Sequence, residues 1–176
     1  VRLHITRGRP SLSTKRKNAD GDDIVDDENG DVDFETAAAA LIEQAKADPD
    51  YLLTVADIEA FEAQHGRIGA GQWVLMRTDW SQRTDPEAYQ NFDETGQHTP
   101  GPSSEAVRFL VDQRDVLGFG SEAIGTDAGQ GYHLRPPYPC HYYMHGAGRY
   151  GLQCLANLDR LPPTGAVILS PPLKIQ

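Results

Sequence analysis

Apolar positions along the chain switch between helical spacing and short continuous runs. Val55, Ile58, Ala60, Phe61 and Ala63 fall near one face of a helix that Thr54 caps, with Asp57 three residues on and Gly66 at its end. Upstream, residues 34–47 are rich in Ala, Leu, Glu, Gln and Lys, all helix formers, until Asp48-Pro49-Asp50 stops them. Trp73-Val74-Leu75-Met76 is different: four apolar residues in a row after the Gly69-Ala70-Gly71 turn predict a strand buried on both faces. A loop rich in Asp, Pro, Asn and Gly covers residues 81–102. Ser103 and Ser104 then introduce a helix over residues 105–114, with Ala106, Val107, Phe109, Leu110 and Val111 apolar. Residues 116–126 predict a strand that ends in a functional turn at Gly125-Thr126-Asp127, and residues 166–169 a further strand. Helices alternating with strands make the class α/β.

The N-terminal part has no such periodicity. Residues 1–20 carry Arg2, Arg7, Arg9, Lys15, Arg16 and Lys17 against one acid, Asp20, and read as unstructured. Gly21 opens an acidic stretch holding Asp22, Asp23, Asp26, Asp27, Glu28, Asp31, Asp33 and Glu35, whose mutual repulsion resists a packed core. Its spacing satisfies no EF-hand register, so calcium is not expected there. Residues 1–35 are therefore expected to be a charged segment, disordered or non-native, and residues 36–176 a partial globular domain.

Composition narrows the classes further. Gly and Pro together make 29 of 176 residues, well above their usual share of about 12%, as in a loop-rich globular protein. No apolar run approaches the roughly 18 residues of a spanning helix, and no signal-peptide core follows the N-terminal charges, so the expectation is a cytoplasmic protein with no membrane partner. A net charge of −10 argues against nucleic acid as a partner. Cys140 and Cys154 have no companions for a thiolate metal site and read as reduced, buried thiols. There is no GxSxG elbow for serine hydrolysis, and Gly118-Phe119-Gly120 lacks the third glycine of a phosphate loop.

Four blocks carry a resemblance. They are RIGAGQWVLMRTDW from Arg67, with Asp79 where glycine is common, TPGPSSEAVRFL from Thr99, GTDAGQ from Gly125, and HYYMHGAGRYGLQCLANLDRLPPTGAVILSPPLKIQ from His141. In that order they resemble the cyclase family of metal-dependent amidohydrolases, which includes kynurenine formamidases (arylformamidases) and isatin hydrolases. The resemblance covers about residues 48–176. It implies a swivelling β/β/α fold, incomplete here at both ends, a tendency to form homo-oligomers, and hydrolysis of a small aryl or cyclic amide with Mn or Zn, as in tryptophan catabolism.

The family's main metal motif, HxGTHxDxxxH, is absent. None of His4, His65, His98, His133, His141 and His145 sits in such a pattern, so a truncated and inactive chain is expected, with no catalytic histidine identified. The resemblance assigns the second metal position of two-metal members to His141 and Gln153, twelve positions apart. A glutamine in place of a carboxylate favours a single-metal arrangement nearer the isatin-hydrolase side. It also implies that Trp80 lines the substrate pocket and that Asp127 orients the site. His141 and His145, four apart, would share a helix face. Tyr138, Tyr142, Tyr143 and Tyr150 form an aromatic cluster suited to an aryl ligand or to a subunit interface. The alternative function is a non-catalytic interaction or oligomerisation domain.

Overall fold

The computed structural model describes residues 2–6, 43–44 and 47–171. A five-stranded sheet is its spine. Strands β1 (Arg2–Thr6), β3 (Trp73–Arg77), β7 (Gly118–Ser121), β8 (Tyr150–Leu152) and β9 (Thr164–Ala166) lie in the order β8-β7-β3-β1-β9. β1 runs antiparallel to β3, and every other neighbouring pair is parallel. Two minor pairs flank it: β2 (Leu52–Leu53) lies parallel to β6 (Gly101–Pro102), and β4 (Phe92–Asp93) forms a hairpin with β5 (Gly96–Gln97).

β3 is buried on both faces, as its continuous apolar run requires. Val74 and Met76 join one core cluster with Leu53, Ile58, Val107, Leu110, Phe119 and Met144. Trp73 and Leu75, pointing the other way, pack with Leu158 against Leu117, Leu152, Leu155, Leu161 and Ile168. Each fully buried aliphatic side chain of this kind stabilises the fold by about 1.5–3 kcal/mol. Neighbouring β7 obeys the same alternation with Phe119 on the first face. On the second face stand Gly118 and Gly120, where a Cβ would come within 2.6 Å of the Trp73 ring and of Leu75 Cδ2 respectively. Glycine at both positions lets the large side chains of β3 lie across β7.

Helix α1 (Val55–His65) begins with the capping box that Thr54 and Asp57 predict: Asp57 N donates to Thr54 Oγ1, and Thr54 N donates to Asp57 Oδ2 at 2.7 Å. Helix α2 (Pro86–Gln90) is one turn capped by Asp85 with Pro86 at its start. Helix α3 (Ser104–Arg108), capped by Ser103, continues as a π-helical turn over Phe109–Gln113. A buried ion pair fastens α1 to that turn: Arg114 Nε donates to Glu62 Oε1 at 2.6 Å and Nη2 to Oε2 at 2.7 Å. Burial pushes the Glu62 carboxyl up, but the bonds from Arg114 and from Ile68 N outweigh it and hold the group below its ordinary value.

Several expectations need correction. Residues 2–6 are not unstructured but pair with both β3 and β9 in the sheet. The alternation of Val1, Leu3 and Ile5 with Arg2, His4 and Thr6 is a strand signal, overshadowed by the basic residues that follow. The rest of the charged segment and most of the helix expected at residues 34–47 lie outside the described residues. Among the described residues the last strand is Thr164–Ala166, not residues 166–169. The loop of residues 81–102 contains α2 and the β4–β5 hairpin. Both cysteines are free thiols, Cys140 buried but Cys154 exposed. No helix among the described residues is long and apolar enough to cross a membrane.

Candidate functional site

The parallel strands β3, β7 and β8 all point their C-terminal ends toward one edge, and the turn after β7 crosses it. Glu122, 1% exposed, opens this turn as a tether: its Oε2 accepts from Thr78 N at 2.7 Å and its Oε1 from the Ser81 hydroxyl at 2.9 Å. Its carbonyl accepts from the Tyr89 hydroxyl at 2.6 Å. Burial, then Cys154 and Glu122, push that phenol up to about 12. The end of β3 is thus locked to the end of β7. Asp79 at this junction has φ of +56°, and Arg77 Nε donates to its Oδ1 at 2.6 Å. That left-handed backbone is where glycine is favoured, and a short polar side chain tolerates it.

Gly125, with φ of +88°, turns the chain so that Thr126 and Asp127 point back into the protein. Asp127 is 5% exposed and caps the π-helix Cys140–His145. Its Oδ1 accepts from Cys140 N at 2.6 Å, and its Oδ2 from His141 N at 3.3 Å and His141 Nδ1 at 2.5 Å. Because a carboxylate only accepts, Nδ1 carries the proton and the other nitrogen, Nε2, keeps its lone pair when the ring is neutral. The His141 side chain is 65% exposed. His141 and His145 do share a face, their rings edge-on at 5.1 Å. His145 contacts Thr126 Oγ1 at 3.3 Å and the Arg149 carbonyl at 3.1 Å, so both its nitrogens face protein atoms. Buried beside Asp127, the Cys140 thiol is pushed well above its ordinary value by burial and by that carboxylate, which suits packing and not nucleophilic attack.

Asp127 and His141 open onto a cavity of about 360 Å³ whose apolar walls are Phe92, Ile124, Tyr132 and Tyr138. Phe92 comes from the β4–β5 hairpin, with Gly96 and Gln97 beside it. The hairpin packs on residues 127–132: the Tyr132 hydroxyl donates to the Thr95 carbonyl at 2.8 Å, and Gln130 Nε2 to the Gln97 carbonyl at 2.9 Å. Glycine at 129 and at 101 is required by close backbone approach, since a Cβ on either would overlap the facing main chain. The cavity pairs a flat aromatic lining with one polar corner, the composition of a small-ligand site.

Of the four residues expected at the site, Asp127 and His141 meet at the cavity. Gln153 stands just past β8, where its Oε1 accepts from Gly125 N at 2.7 Å and so holds the turn in place. Trp80 is not a lining residue of this cavity. It is 2% exposed, donates its indole N–H to the Tyr89 carbonyl at 2.8 Å, and lies under the Arg83 guanidinium at 3.8 Å. Its place is in the packing behind the turn. As a metal centre the described side chains fall short, because no three His, Cys, Asp or Glu groups among them converge. His141 offers one imidazole nitrogen, and Gln153 already accepts a backbone hydrogen bond.

Residues 28–128 match the family model described as "Putative cyclase". The chain belongs to the cyclase family. An isatin hydrolase of Roseibium aggregatum is 51% identical over 134 residues, which are 76% of this chain and 51% of that protein. Isatin hydrolase A from Ralstonia solanacearum superposes with a TM-score of 0.74 at 58% identity, over 76% of this chain and 51% of the other. An isatin hydrolase bound to the product analogue thioisatinate superposes with a TM-score of 0.73 at 50% identity, again over 76% and 51%. The chain thus spans about half the length of the relatives it matches, and its mixed helix and sheet fold agrees with theirs over that part.

Proposed function

We propose that this cyclase-family chain serves the hydrolysis of a small aryl or cyclic amide of the isatin type, in the cytoplasm, by supplying the substrate's aromatic seat and a proton-handling imidazole. The observation that carries this reading is the Asp127-held His141 at the edge of a cavity walled by Phe92, Tyr132 and Tyr138. A planar ring can lie among those three side chains, gaining roughly 0.5–1.5 kcal/mol from each well-placed aromatic pair beyond simple burial. Asp127 fixes the proton on Nδ1, so Nε2 can accept a proton from, or donate one to, a group held against that ring. Ile124 adds an aliphatic side chain to the same wall.

Mn or Zn is the family's cofactor, and the described residues do not build a centre for it. Among this sequence's histidines none lies in the family's main metal motif. Of that hydrolysis we therefore propose for this chain by itself the binding of the amide or its product, and not turnover. Purified protein would be analysed for Mn and Zn and assayed with isatin and N-formylkynurenine, before and after adding either metal, while thioisatinate is titrated into the same sample. The expected result is saturable binding of thioisatinate at one per chain, no stoichiometric metal and no hydrolysis. Stoichiometric metal with turnover would contradict the assignment, as would a folded sample that binds nothing.

A second reading is favoured by one feature. Tyr142, in the Cys140–His145 helix, and Tyr150, on the edge strand β8, are 62% and 61% exposed, which suits self-association through these aromatic side chains. Sedimentation equilibrium on the wild type and on Tyr142→Ser/Tyr150→Ser would decide it. A defined oligomer that the double variant disperses supports a homo-oligomer, and a monomer in both cases removes it.

A further inference from the structure

His98 takes no part in the reading above, yet its surroundings are unusual. Its backbone closes the β4–β5 hairpin: His98 N donates to the Asn91 carbonyl at 2.9 Å, and Asn91 Nδ2 donates to the His98 carbonyl at 2.7 Å. The ring then reaches in two directions. Nδ1 lies 2.7 Å from Asp50 Oδ2, in the segment leading to β2, and Nε2 lies 3.1 Å from Asp93 Oδ1 on the hairpin itself. Thr95 Oγ1 is 2.8 Å from the same Nε2 and also bonds Asp93 Oδ1, at 2.7 Å. Gln130 Nε2 stands farther off at 3.5 Å.

Two carboxylates, one on each ring nitrogen, can both be satisfied only by the imidazolium. A neutral imidazole donates from one nitrogen and presents a lone pair at the other, which would face an anionic oxygen. We infer that His98, held as a cation between Asp50 and Asp93, is a positioning residue that fastens the β4–β5 hairpin over the aryl cavity, so that the cavity loses a wall when His98 gives up its proton. The wall in question is Phe92, Gly96 and Gln97. Asp50 has a stake of its own, since its Oδ1 is buried without a partner and His98 supplies the bond to its other oxygen.

The charged groups facing the ring among the described residues are Asp50 and Asp93, with the Thr95 hydroxyl and the Gln130 amide as neutral neighbours. The hydrogen bond to Asp50 first, and then Asp93 against some loss from burial, lift the histidine above its ordinary value. Asp93 is held below the usual carboxylate range by the Thr95 hydroxyl and amide, then by His98. The clamp is therefore complete below the ordinary histidine value of about 6.5 and dissolves as pH climbs through the raised value. On the acid side the Asp93 arm is lost as pH falls through the lowered value of that carboxylate.

The test compares wild type, Asp50→Asn and His98→Phe at about pH 6 and pH 9 by amide hydrogen exchange of residues 92–97, corrected for intrinsic rates, and by thioisatinate affinity. The exchange readout needs no ligand; the affinity readout rests on the proposed function. In wild type, hairpin protection and affinity both fall about threefold at the higher pH, the scale of a partly exposed ion pair. In Asp50→Asn the side-chain amide donates to a neutral ring while Asp93 accepts from it, so hairpin protection becomes flat with pH. That contrast separates His98 from any titration of His141, which the variant leaves in place. His98→Phe lowers protection at both values. Wild-type protection that does not change with pH, or a protection slope that survives in Asp50→Asn, overturns the inference. Failure of thioisatinate to bind at either pH counts against the proposed function, and the clamp is then decided by exchange alone.

Discussion

Two histidine–aspartate arrangements stand near one cavity and use the same side chains in opposite ways. His141 meets a single carboxylate, which is buried and fixes one ring nitrogen, while the rest of the ring is exposed to the cavity and solvent. His98 meets two carboxylates, one on each nitrogen, and its side chain is 19% exposed. The first arrangement leaves a nitrogen free for a ligand. The second leaves none, and its effect is mechanical. What separates a histidine open to a ligand from a structural one here is the number of ring nitrogens already engaged, not the identity of the partner.

That contrast can be broken in graded ways. The largest effect is expected at Asp127, which is buried and accepts from two backbone amides and the His141 ring. Asp127→Ala strips the cap from the π-helix and leaves Cys140 N without a partner, so unfolding free energy in urea should fall by about 3 kcal/mol. His141→Ala removes a mostly exposed side chain but takes one donor from the buried Asp127 Oδ2, so stability should fall by only about 1 kcal/mol. The same variant should weaken thioisatinate binding about tenfold in calorimetry, the loss of one charge-assisted hydrogen bond. Phe92→Ala tests the hairpin wall: the residue is 64% exposed, so the melting temperature should hold while affinity falls about threefold. The smallest effect belongs to Gln153→Glu, which keeps an acceptor for Gly125 N and should change affinity by less than twofold.

What the sequence made legible followed from local physics. The continuous run Trp73-Val74-Leu75-Met76 has no exposed face, so a central strand was the consistent placement, and the Thr54–Asp57 spacing carries its own capping geometry. The aromatic cavity was harder. Phe92, Ile124 and Tyr132 lie in three separate short segments with no shared period, and they meet only because the hairpin folds onto residues 127–132. His98 was invisible for the same reason, since Asp50 is 48 positions away. Trp80 stands beside the same turn with its ring packed under Arg83 and its N–H satisfied within the fold, away from the lining of this cavity. Strand β1 went unread because its partners β3 and β9 are far away in the chain and its alternation covers only six residues.

The central claim is that the Asp127-held His141 and its aromatic walls form the seat of an aryl amide or its product. It is tested most directly by titrating thioisatinate into the wild type while following the ring resonances of His141, Tyr132 and Tyr138 by nuclear magnetic resonance. The account predicts saturable shifts at all three with one common dissociation constant, and their loss in Asp127→Asn at His141. Binding that leaves these rings unmoved, or no binding to the folded chain, would contradict it.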